Sequence, residues 1–229
     1  MKIYFVRHGH PNYEKNCLTE LGHKQAAKAA ERLQNSGITQ VFSSPYGRAL
    51  ETAEYTAKAL GLEINICEFI KEIVWGSIDG EPLLAHGHPW LVSRLFVEEG
   101  KTLTDKEWRQ KEPYFRSQIL ESVDIVTKGL DEWLAQLGYQ REGEYYRVVG
   151  ENTNKTVAVF SHGGSSGIAV SHLLNIPFPQ ICGIFHPDYT SITVVELSNK
   201  VGTLCFPKVV VMNDARHIEG IETENVYKE

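Results

Sequence analysis

The hydrophobic pattern of the chain alternates short β-branched runs with segments of helical periodicity. This alternation is typical of a sheet flanked by helices, so it predicts an α/β fold: a three-layer α/β/α sandwich around a mostly parallel central sheet. The runs predict strands at Lys2–Val6, Gln40–Ser43, Glu63–Cys67, Thr156–Ser161, and Ser191–Glu196 with Val209–Met212 as the last pair.

Two helices are predicted between the first three strands. Thr19 suits an N-cap, and Gly37 supplies a stop for the helix that follows it. Ser44 as N-cap with Pro45 at the first helical position predicts a second helix that ends at Gly61. The buried face of the first helix would consist of Ala26, Ala29, Ala30 and Leu33.

The character of the chain changes between Gly76 and Lys155, where it becomes aromatic and helix-rich. Apolar residues from Phe115 to Leu137 recur at helical spacing, and no strand is predicted before the run Tyr145–Val149. We therefore expect a single domain, 1–229, with an inserted helical cap at about 77–154. The polar, acidic residues 218–229 are predicted to form a surface tail.

Charge and cysteine usage narrow the class of partner and the compartment. Lys and Arg total 23 against 29 Asp and Glu, a formal net charge of −6, so bulk charge predicts neither a nucleic-acid nor a membrane partner. The longest early apolar run, residues 3–6, is shorter than a signal-peptide core, and no stretch approaches the ~18 apolar residues of a membrane span. The four cysteines lack metal-site spacing. A cytoplasmic protein is the expectation, and an anionic substrate would require a local positive pocket.

Charged residues and glycines cluster at the predicted end of the first strand and at a helix start. Arg7-His8-Gly9 places a guanidinium and an imidazole beside a flexible glycine, where sheets of this kind bind ligands. The segment Ser43 to Ala53 puts Arg48 in the first turn of a helix. A cation is unfavourable at that positive end of the helix dipole unless an anion binds there.

A later segment also places a histidine and glycines directly after a predicted strand. Ser161-His162-Gly163-Gly164 follows a predicted strand and opens a glycine-rich helix whose free amides can bind an oxyanion. Glu72 precedes the predicted cap, where it could reach a leaving-group oxygen. Taken singly, each feature also has an ordinary structural explanation, such as a polar strand end, a solvated arginine or a common glycine turn.

The combination of these motifs, in this order and spacing, resembles the histidine phosphatase (phosphoglycerate mutase-like) superfamily. The likeness covers about 1–80 and 155–217, including Asn213, Asp214 and His217 near the end. The resemblance implies that His8 is the nucleophile that forms a phosphohistidine and that Glu72 protonates the leaving oxygen. It also implies that the phosphate is bound by Arg7, Arg48, His162 and the Gly163 amide, with no metal and no cofactor.

This chemistry constrains the protonation states of three side chains. His8 must be neutral on its attacking nitrogen, His162 is most useful as a cation, and Glu72 must retain its proton although an ordinary Glu titrates near ~4.3. We therefore expect an activity optimum at acid to neutral pH, set by Glu72.

The loop after the first motif departs from the family. His10 stands where the family commonly has Glu or Gln, which leaves Asn12, Asn16 and Thr19 as candidates for further phosphate contacts. His10 also raises the hypothesis of a metal site. The other histidines of that hypothesis are His86, His88 and His186. His86 and His88 are two residues apart, beside a Gly and a Pro and without a carboxylate pattern, which favours ordinary surface or cap histidines over a metal site.

Phosphomonoester hydrolysis of a small phosphorylated metabolite is the favoured activity. Mutases of the family carry an Arg directly after the acidic Glu and an Arg pair in the insertion, whereas this chain has Ile73 and no Arg-Arg pair. Mutase-type phosphoryl transfer and a non-catalytic module that binds a phosphorylated ligand remain the alternatives. The last strands offer an edge through which a homodimer could form.

Overall fold

The computed structural model describes residues 1–151 and 153–221. Its strands are β1 (Lys2–Arg7), β2 (Pro11–Asn12), β3 (Cys17–Leu18), β4 (Gln40–Ser43), β5 (Ile64–Ile66), β6 (Tyr139–Glu142), β7 (Tyr145–Val148), β8 (Thr156–Ser161), β9 (Ile192–Glu196), β10 (Leu204–Cys205) and β11 (Lys208–Asp214). Its α-helices are α1 (Glu20–Leu33), α2 (Gly47–Leu60), α3 (Pro89–Glu98), α4 (Ile119–Gln136), α5 (Gly163–Leu174) and α6 (Phe178–Ile184).

Six strands form the central sheet, in the order β11-β9-β1-β8-β4-β5. The pairs β1–β8, β8–β4 and β4–β5 are parallel, and β9 and β11 run antiparallel at one edge. In the β1–β8 register Arg7 lies opposite Ser161, so the residues that follow these two strands leave the sheet side by side. This register brings two distant motifs together.

Helices cover both faces of the sheet, which confirms the predicted α/β sandwich. One core lies under α1 and α2 and includes Val6, Val41 and Phe160. The other core contains Phe5 and Val159 and is covered by α4 and α5. Alternate residues of β1 and β8 therefore face opposite cores, as expected for strands buried on both sides.

The predicted helix boundaries hold at some ends and fail at others. Thr19 caps α1 by accepting a hydrogen bond from the Gly22 N–H, but α1 ends at Leu33, before Gly37 is reached. The N-cap of α2 is Tyr46 and not Ser44, whose buried hydroxyl accepts from the Tyr46 N–H at 3.3 Å and also contacts His162. Gly61 ends α2 in a left-handed conformation, with φ of 66°.

The region predicted as a cap divides into two parts. Helix α4 packs against α5 and belongs to the second helical layer of the sandwich. It begins at Ile119 and not at Phe115, whose ring is 46% exposed in a preceding 3-10 turn. Residues 77–118, here the outer segment, contain α3, which packs on α6. The hairpin β6–β7 pairs with β10 in a small sheet, and β6 was not expected from the sequence.

Two edges of the molecule bear on the remaining expectations. Ile218 is buried in a 3-10 turn, so the predicted surface tail does not begin at residue 218, and residues 222–229 lie outside the described residues. The β11 edge exposes Val209, Val210 and Met212, and a homodimer through it stays a prediction.

Within the described ranges no single helix has the length and apolarity to cross a membrane. Only α5 and α6 together, bent by 118°, pass that test.

Candidate active site

His8 follows the central strand β1 and is fully buried. Its Nδ1 lies 2.7 Å from the Gly9 carbonyl oxygen, which can only accept, so Nδ1 carries the proton. Nε2 is then the unprotonated nitrogen, and it accepts a hydrogen bond from Arg48 Nε at 3.3 Å. Burial and, next, the charge of Arg7 hold the pKa of His8 well below its usual range. The side chain is thus a neutral imidazole with a lone pair on Nε2.

The loop after His8 is held by close backbone packing. A Cβ at Gly9 would lie 2.7 Å from the Gly22 carbonyl oxygen, so glycine is required there. The Gly9 N–H donates to Thr52 Oγ1 at 3.0 Å, and the Thr52 hydroxyl donates to the Arg48 carbonyl at 2.7 Å. Thr52, which sequence reasoning did not single out, therefore fixes the start of α2 against the His8 loop.

Arg7 is 5% exposed and lies at the carboxyl end of β1. Its Nη1 donates to the Pro187 carbonyl at 2.6 Å, and its guanidinium carbon lies 4.3 Å from the centre of the Tyr189 ring. Asn213 holds the Pro187 loop, accepting from the Asp188 N–H at 2.8 Å and donating to the His186 carbonyl at 3.1 Å. Contacts from the last strand thus orient an arginine of the first.

Arg48 is the second residue of α2, in the first helical turn as predicted, and it is 6% exposed. Its Nη1 donates to Asn16 Oδ1 at 2.8 Å. The rings of Tyr46 and Tyr13 lie 5.1 Å and 5.4 Å from its guanidinium carbon. Burial lowers the pKa of Arg48, and the nearby Glu72 opposes that shift. A buried cation at a helix N-terminus is a strong attractor for an anion.

His162 precedes α5 and is also fully buried. Its ring centre lies 5.2 Å from that of His8, and its Nε2 is 2.8 Å from Ser44 Oγ. Burial, followed by electrostatic interactions with His8 and the two arginines, holds the pKa of His162 well below its usual range. The expectation of a cationic His162 is therefore wrong for the protein by itself, in which the neutral form is favoured.

Glu72 lies at the same space and is bonded to the first turn of α5. Its Oε1 accepts hydrogen bonds from the Ile73 and Gly164 N–H groups, at 3.0 Å and 3.1 Å. Burial raises the pKa of Glu72 although these bonds and both arginines oppose the shift. Side-chain ligand atoms of His8, Glu72 and His162 all lie within 4.8 Å of one another. The anion pocket is the set Arg7, His8, Arg48, Glu72 and His162.

The donor set of His8, Glu72 and His162 would also suit a metal ion, but its surroundings favour an anion. Arg7 and Arg48 lower the pKa values of both imidazoles by their positive charge, and the same field repels a cation. No other group of three such ligands occurs in residues 1–151 and 153–221. The His10 metal hypothesis thus finds no cluster there, and His10 Nδ1 instead bonds Thr19 Oγ1 at 2.9 Å.

Of the remaining residues predicted to contact the phosphate, some lie at the pocket and others do not. Asn12 Oδ1 accepts from the Lys15 N–H in a turn, and it is Asn16 that reaches Arg48. A Cβ at Gly163 would lie 3.6 Å from Arg7 Nε, so the first turn of α5 adjoins the pocket. The sequence analysis missed Ser44 and Tyr189 as parts of the site. The Ser-Ser-Pro motif could have pointed to Ser44, since it stands at a strand end.

Comparison with known proteins agrees with this geometry. The model of the histidine phosphatase superfamily (branch 1) matches residues 3–207. The chain belongs to this superfamily. A probable phosphoglycerate mutase from Yersinia pestis is 24% identical over 186 residues, covering 77% of this chain and 76% of the relative.

Solved structures of histidine phosphatase relatives share the fold. A phosphoserine phosphatase from Entamoeba histolytica, in complex with 3-phosphoglyceric acid, has a TM-score of 0.61 at 23% identity over 95% of this chain and 98% of that one. A mycobacterial glucosyl-3-phosphoglycerate phosphatase with inorganic phosphate gives 0.63 at 19% identity, over 94% and 98%. Membership of the superfamily supports phosphatase or mutase activity for this chain.

Proposed function

We propose that the protein is a metal-independent phosphomonoester hydrolase that acts on a small phosphorylated metabolite through a phosphohistidine at His8. The observation that carries the proposal is the neutral His8, whose Nε2 lone pair lies beside two buried guanidiniums. Such an imidazole is ready to attack phosphorus, and fixed positive charge stabilises the charge on the equatorial oxygens in the transition state.

In the first step His8 Nε2 forms a bond to phosphorus while the ester P–O bond breaks. The proton on Nδ1 stays on the hydrogen bond to the Gly9 carbonyl, which stabilises the positive charge that develops on the ring. Arg7 and Arg48 bind the phosphoryl oxygens, and their planar forks match that geometry. A bound phosphate dianion raises the pKa of His162, so this imidazole becomes cationic when the anion enters.

Glu72 serves as the acid in the first step and the base in the second. Because burial raises its pKa, its carboxyl proton is available for the leaving oxygen. The resulting carboxylate then takes a proton from water as the water oxygen attacks phosphorus and the P–N bond breaks. His8 and the protonated Glu72 are thereby regenerated.

Position 73 favours hydrolysis over mutase transfer. Ile73 is 5% exposed and packs closely on Gly164, so position 73 presents no cation to a substrate carboxylate. The test is incubation with 3-phosphoglycerate and 2,3-bisphosphoglycerate. Release of inorganic phosphate from 4-nitrophenyl phosphate without isomerisation of 3-phosphoglycerate supports the proposal, and rapid isomerisation without phosphate release overturns it in favour of a mutase.

The His8→Ala variant tests the nucleophile, with His86→Ala in the exposed outer segment as its control. With 4-nitrophenyl phosphate we expect H8A to lose roughly 10⁴-fold or more in kcat and to form no acid-labile phosphoenzyme. H86A should behave like the wild type, and a chelator should leave the wild-type rate unchanged. Turnover by H8A at the wild-type rate would refute the nucleophile. A wild type that binds phosphate without turnover would be a binding module.

A further inference from the structure

The cations of the outer segment are neutralised by neighbouring carboxylates. Arg116 Nε lies 2.8 Å from Asp79, and Arg109 Nη2 lies 2.6 Å from Asp124. The same holds for the pairs Arg94–Glu98, Lys101–Glu99 and Lys111–Asp105. Lys106 lines a separate cavity with Trp108 and His172. These pairings leave this segment poorly equipped to bind a carboxylate on the leaving group.

A row of aromatic and imidazole rings runs from a neighbour of Glu72 in the chain to a neighbour of Pro187. Trp75, three residues after Glu72, contacts His88 with ring centres 4.9 Å apart. His88 lies 6.0 Å from Trp90, and Trp90 lies 6.4 Å from His186, the neighbour of Pro187 that binds Arg7. Together Trp75, His88, Trp90 and His186 form the aromatic ladder.

The ladder lies beside the first turns of α5. A Cβ at Gly167 would be 3.7 Å from Trp90 Cζ2, and Gly167 is about one helical turn beyond Gly164, whose N–H bonds Glu72. The ladder therefore packs on the helix whose first turn bonds Glu72, and the leaving group of a substrate attacked in line from His8 must extend toward Glu72. Trp75 is 39% exposed, so its ring is open to a ligand.

A second aromatic surface lies beside Arg48. Tyr13 is 60% exposed although its ring centre is only 5.4 Å from the buried guanidinium carbon of Arg48. A substrate phosphate bound to Arg48 would thus lie near an open tyrosine ring. Aromatic pairs contribute more than their buried area alone, which favours planar partners.

We infer that the leaving group of the preferred substrate is an uncharged planar ring, an aryl or arylmethyl alcohol, and not a carboxylate-bearing chain. This inference rests on the proposed hydrolase. Trp75 and Tyr13 act as specificity residues that stack the ring, while the anion pocket handles the phosphate. The substrates in the names of the two phosphatase relatives carry carboxylates, so the inference sets this chain apart from them.

The experiment compares kcat/KM for benzyl phosphate, n-butyl phosphate and phosphoserine. All three leave as alkoxides, so the comparison isolates recognition of the ring from the quality of the leaving group. We expect a preference of about tenfold for benzyl over butyl phosphate. The Trp75→Leu and Tyr13→Leu variants should each reduce this preference to about threefold, because kcat/KM falls more for benzyl phosphate than for n-butyl phosphate. Tyr145→Leu, an exposed tyrosine on β7, is the matched control and should keep it.

Three outcomes would overturn the inference. Equal rates for benzyl and butyl phosphate, or a higher kcat/KM for phosphoserine than for benzyl phosphate, would leave hydrolysis intact and refute ring recognition. A tenfold preference that survives in both W75L and Y13L would refute these residues as its source. Absence of turnover with every ester would instead contradict the proposed function itself.

Discussion

The anion pocket and the outer segment both contain arginines, but in opposite environments. Arg7 and Arg48 are 5% and 6% exposed and bond to neutral acceptors, the Pro187 carbonyl and the Asn16 amide. Arg116 of the outer segment lies between two carboxylates, Asp79 at 2.8 Å and Glu112 at 3.4 Å. Neutral acceptors orient a guanidinium without cancelling its charge, whereas carboxylates cancel it. The pocket therefore keeps a positive field for an anion, at a cost in desolvation.

The largest effect that separates the two regions is expected for Arg48→Met. Loss of this guanidinium should lower kcat/KM for 4-nitrophenyl phosphate by about 10³-fold, since it stabilises transition-state charge. Because the variant also removes a desolvated cation from the neighbourhood of Arg7, the melting temperature should stay the same or rise. Steady-state kinetics and thermal unfolding measure both. A variant that unfolds at a lower temperature but loses little activity would show that Arg48 stabilises the fold and not the transition state.

Glu72→Gln should produce the next largest effect, because an amide cannot supply the proton. We expect kcat for n-butyl phosphate to fall by roughly 10²- to 10³-fold, with a smaller loss for 4-nitrophenyl phosphate, whose leaving group needs little protonation. Burial raises the pKa of Glu72 above its ordinary 4.5, so the wild-type rate should decrease as pH rises through that raised value. E72Q should lack this decrease.

The same pKa shift has a consequence for folding. The folded protein binds the Glu72 proton more tightly than the unfolded chain does, so this contribution to stability is complete below the ordinary pKa and is lost as pH rises through the raised one. Thermal unfolding of the wild type and E72Q across this window measures it. Parallel curves for the two proteins would contradict the burial of a protonated carboxyl.

Two adjacent glycines provide a matched pair of intermediate effect. In Gly164→Ala the new methyl would lie 2.3 Å from Ile73 Cγ1 and 2.6 Å from Glu72 Oε1, so the carboxyl must move. We expect about 1–3 kcal/mol of destabilisation and a loss of rate of about 100-fold. In Gly163→Ala the nearest atom, Arg7 Nε, is 3.6 Å away, and activity should stay within a few-fold. Equal losses in both variants would show that helix geometry, not Glu72, is the cause.

Arg116→Met should have the smallest effect, which tests the outer half of the contrast. Its ion pairs with Asp79 and Glu112 are partly exposed, and such pairs contribute about 1 kcal/mol or less. We expect kcat/KM for 4-nitrophenyl phosphate to change less than twofold, as measured beside Arg48→Met. A tenfold loss would mean that this arginine reaches the substrate.

The sequence contains most of the anion pocket because its residues stand at predictable places. Arg7, His8 and His162 follow buried strands, and parallel strands bring their carboxyl ends to one edge. The contacts that these residues make with distant parts of the chain could not be predicted from their positions in the sequence. Ser44 and His162 are 118 residues apart, and only the packed sheet brings the hydroxyl within 2.8 Å of the ring.

Helix α4, strand β6 and the loop that contains His10 were harder to predict for a related reason. Helical periodicity identified the apolar face of α4, but periodicity does not say which surface that face covers, so α4 was assigned to a cap instead of to the sandwich. Three of the four residues of β6 are polar, and its pairing with β7 depends on a two-residue turn at Gly143. The position of His10 against Thr19 likewise follows from loop packing alone.

Asn213 connects the order of synthesis to the appearance of activity. It supports the loop whose Pro187 carbonyl orients Arg7, so Arg7 depends on a strand that leaves the ribosome long after it. A nascent chain that ends before β11 has the imidazoles and Arg48 but lacks the support for Arg7. We therefore expect the growing polypeptide to remain catalytically silent until β11 has joined the sheet.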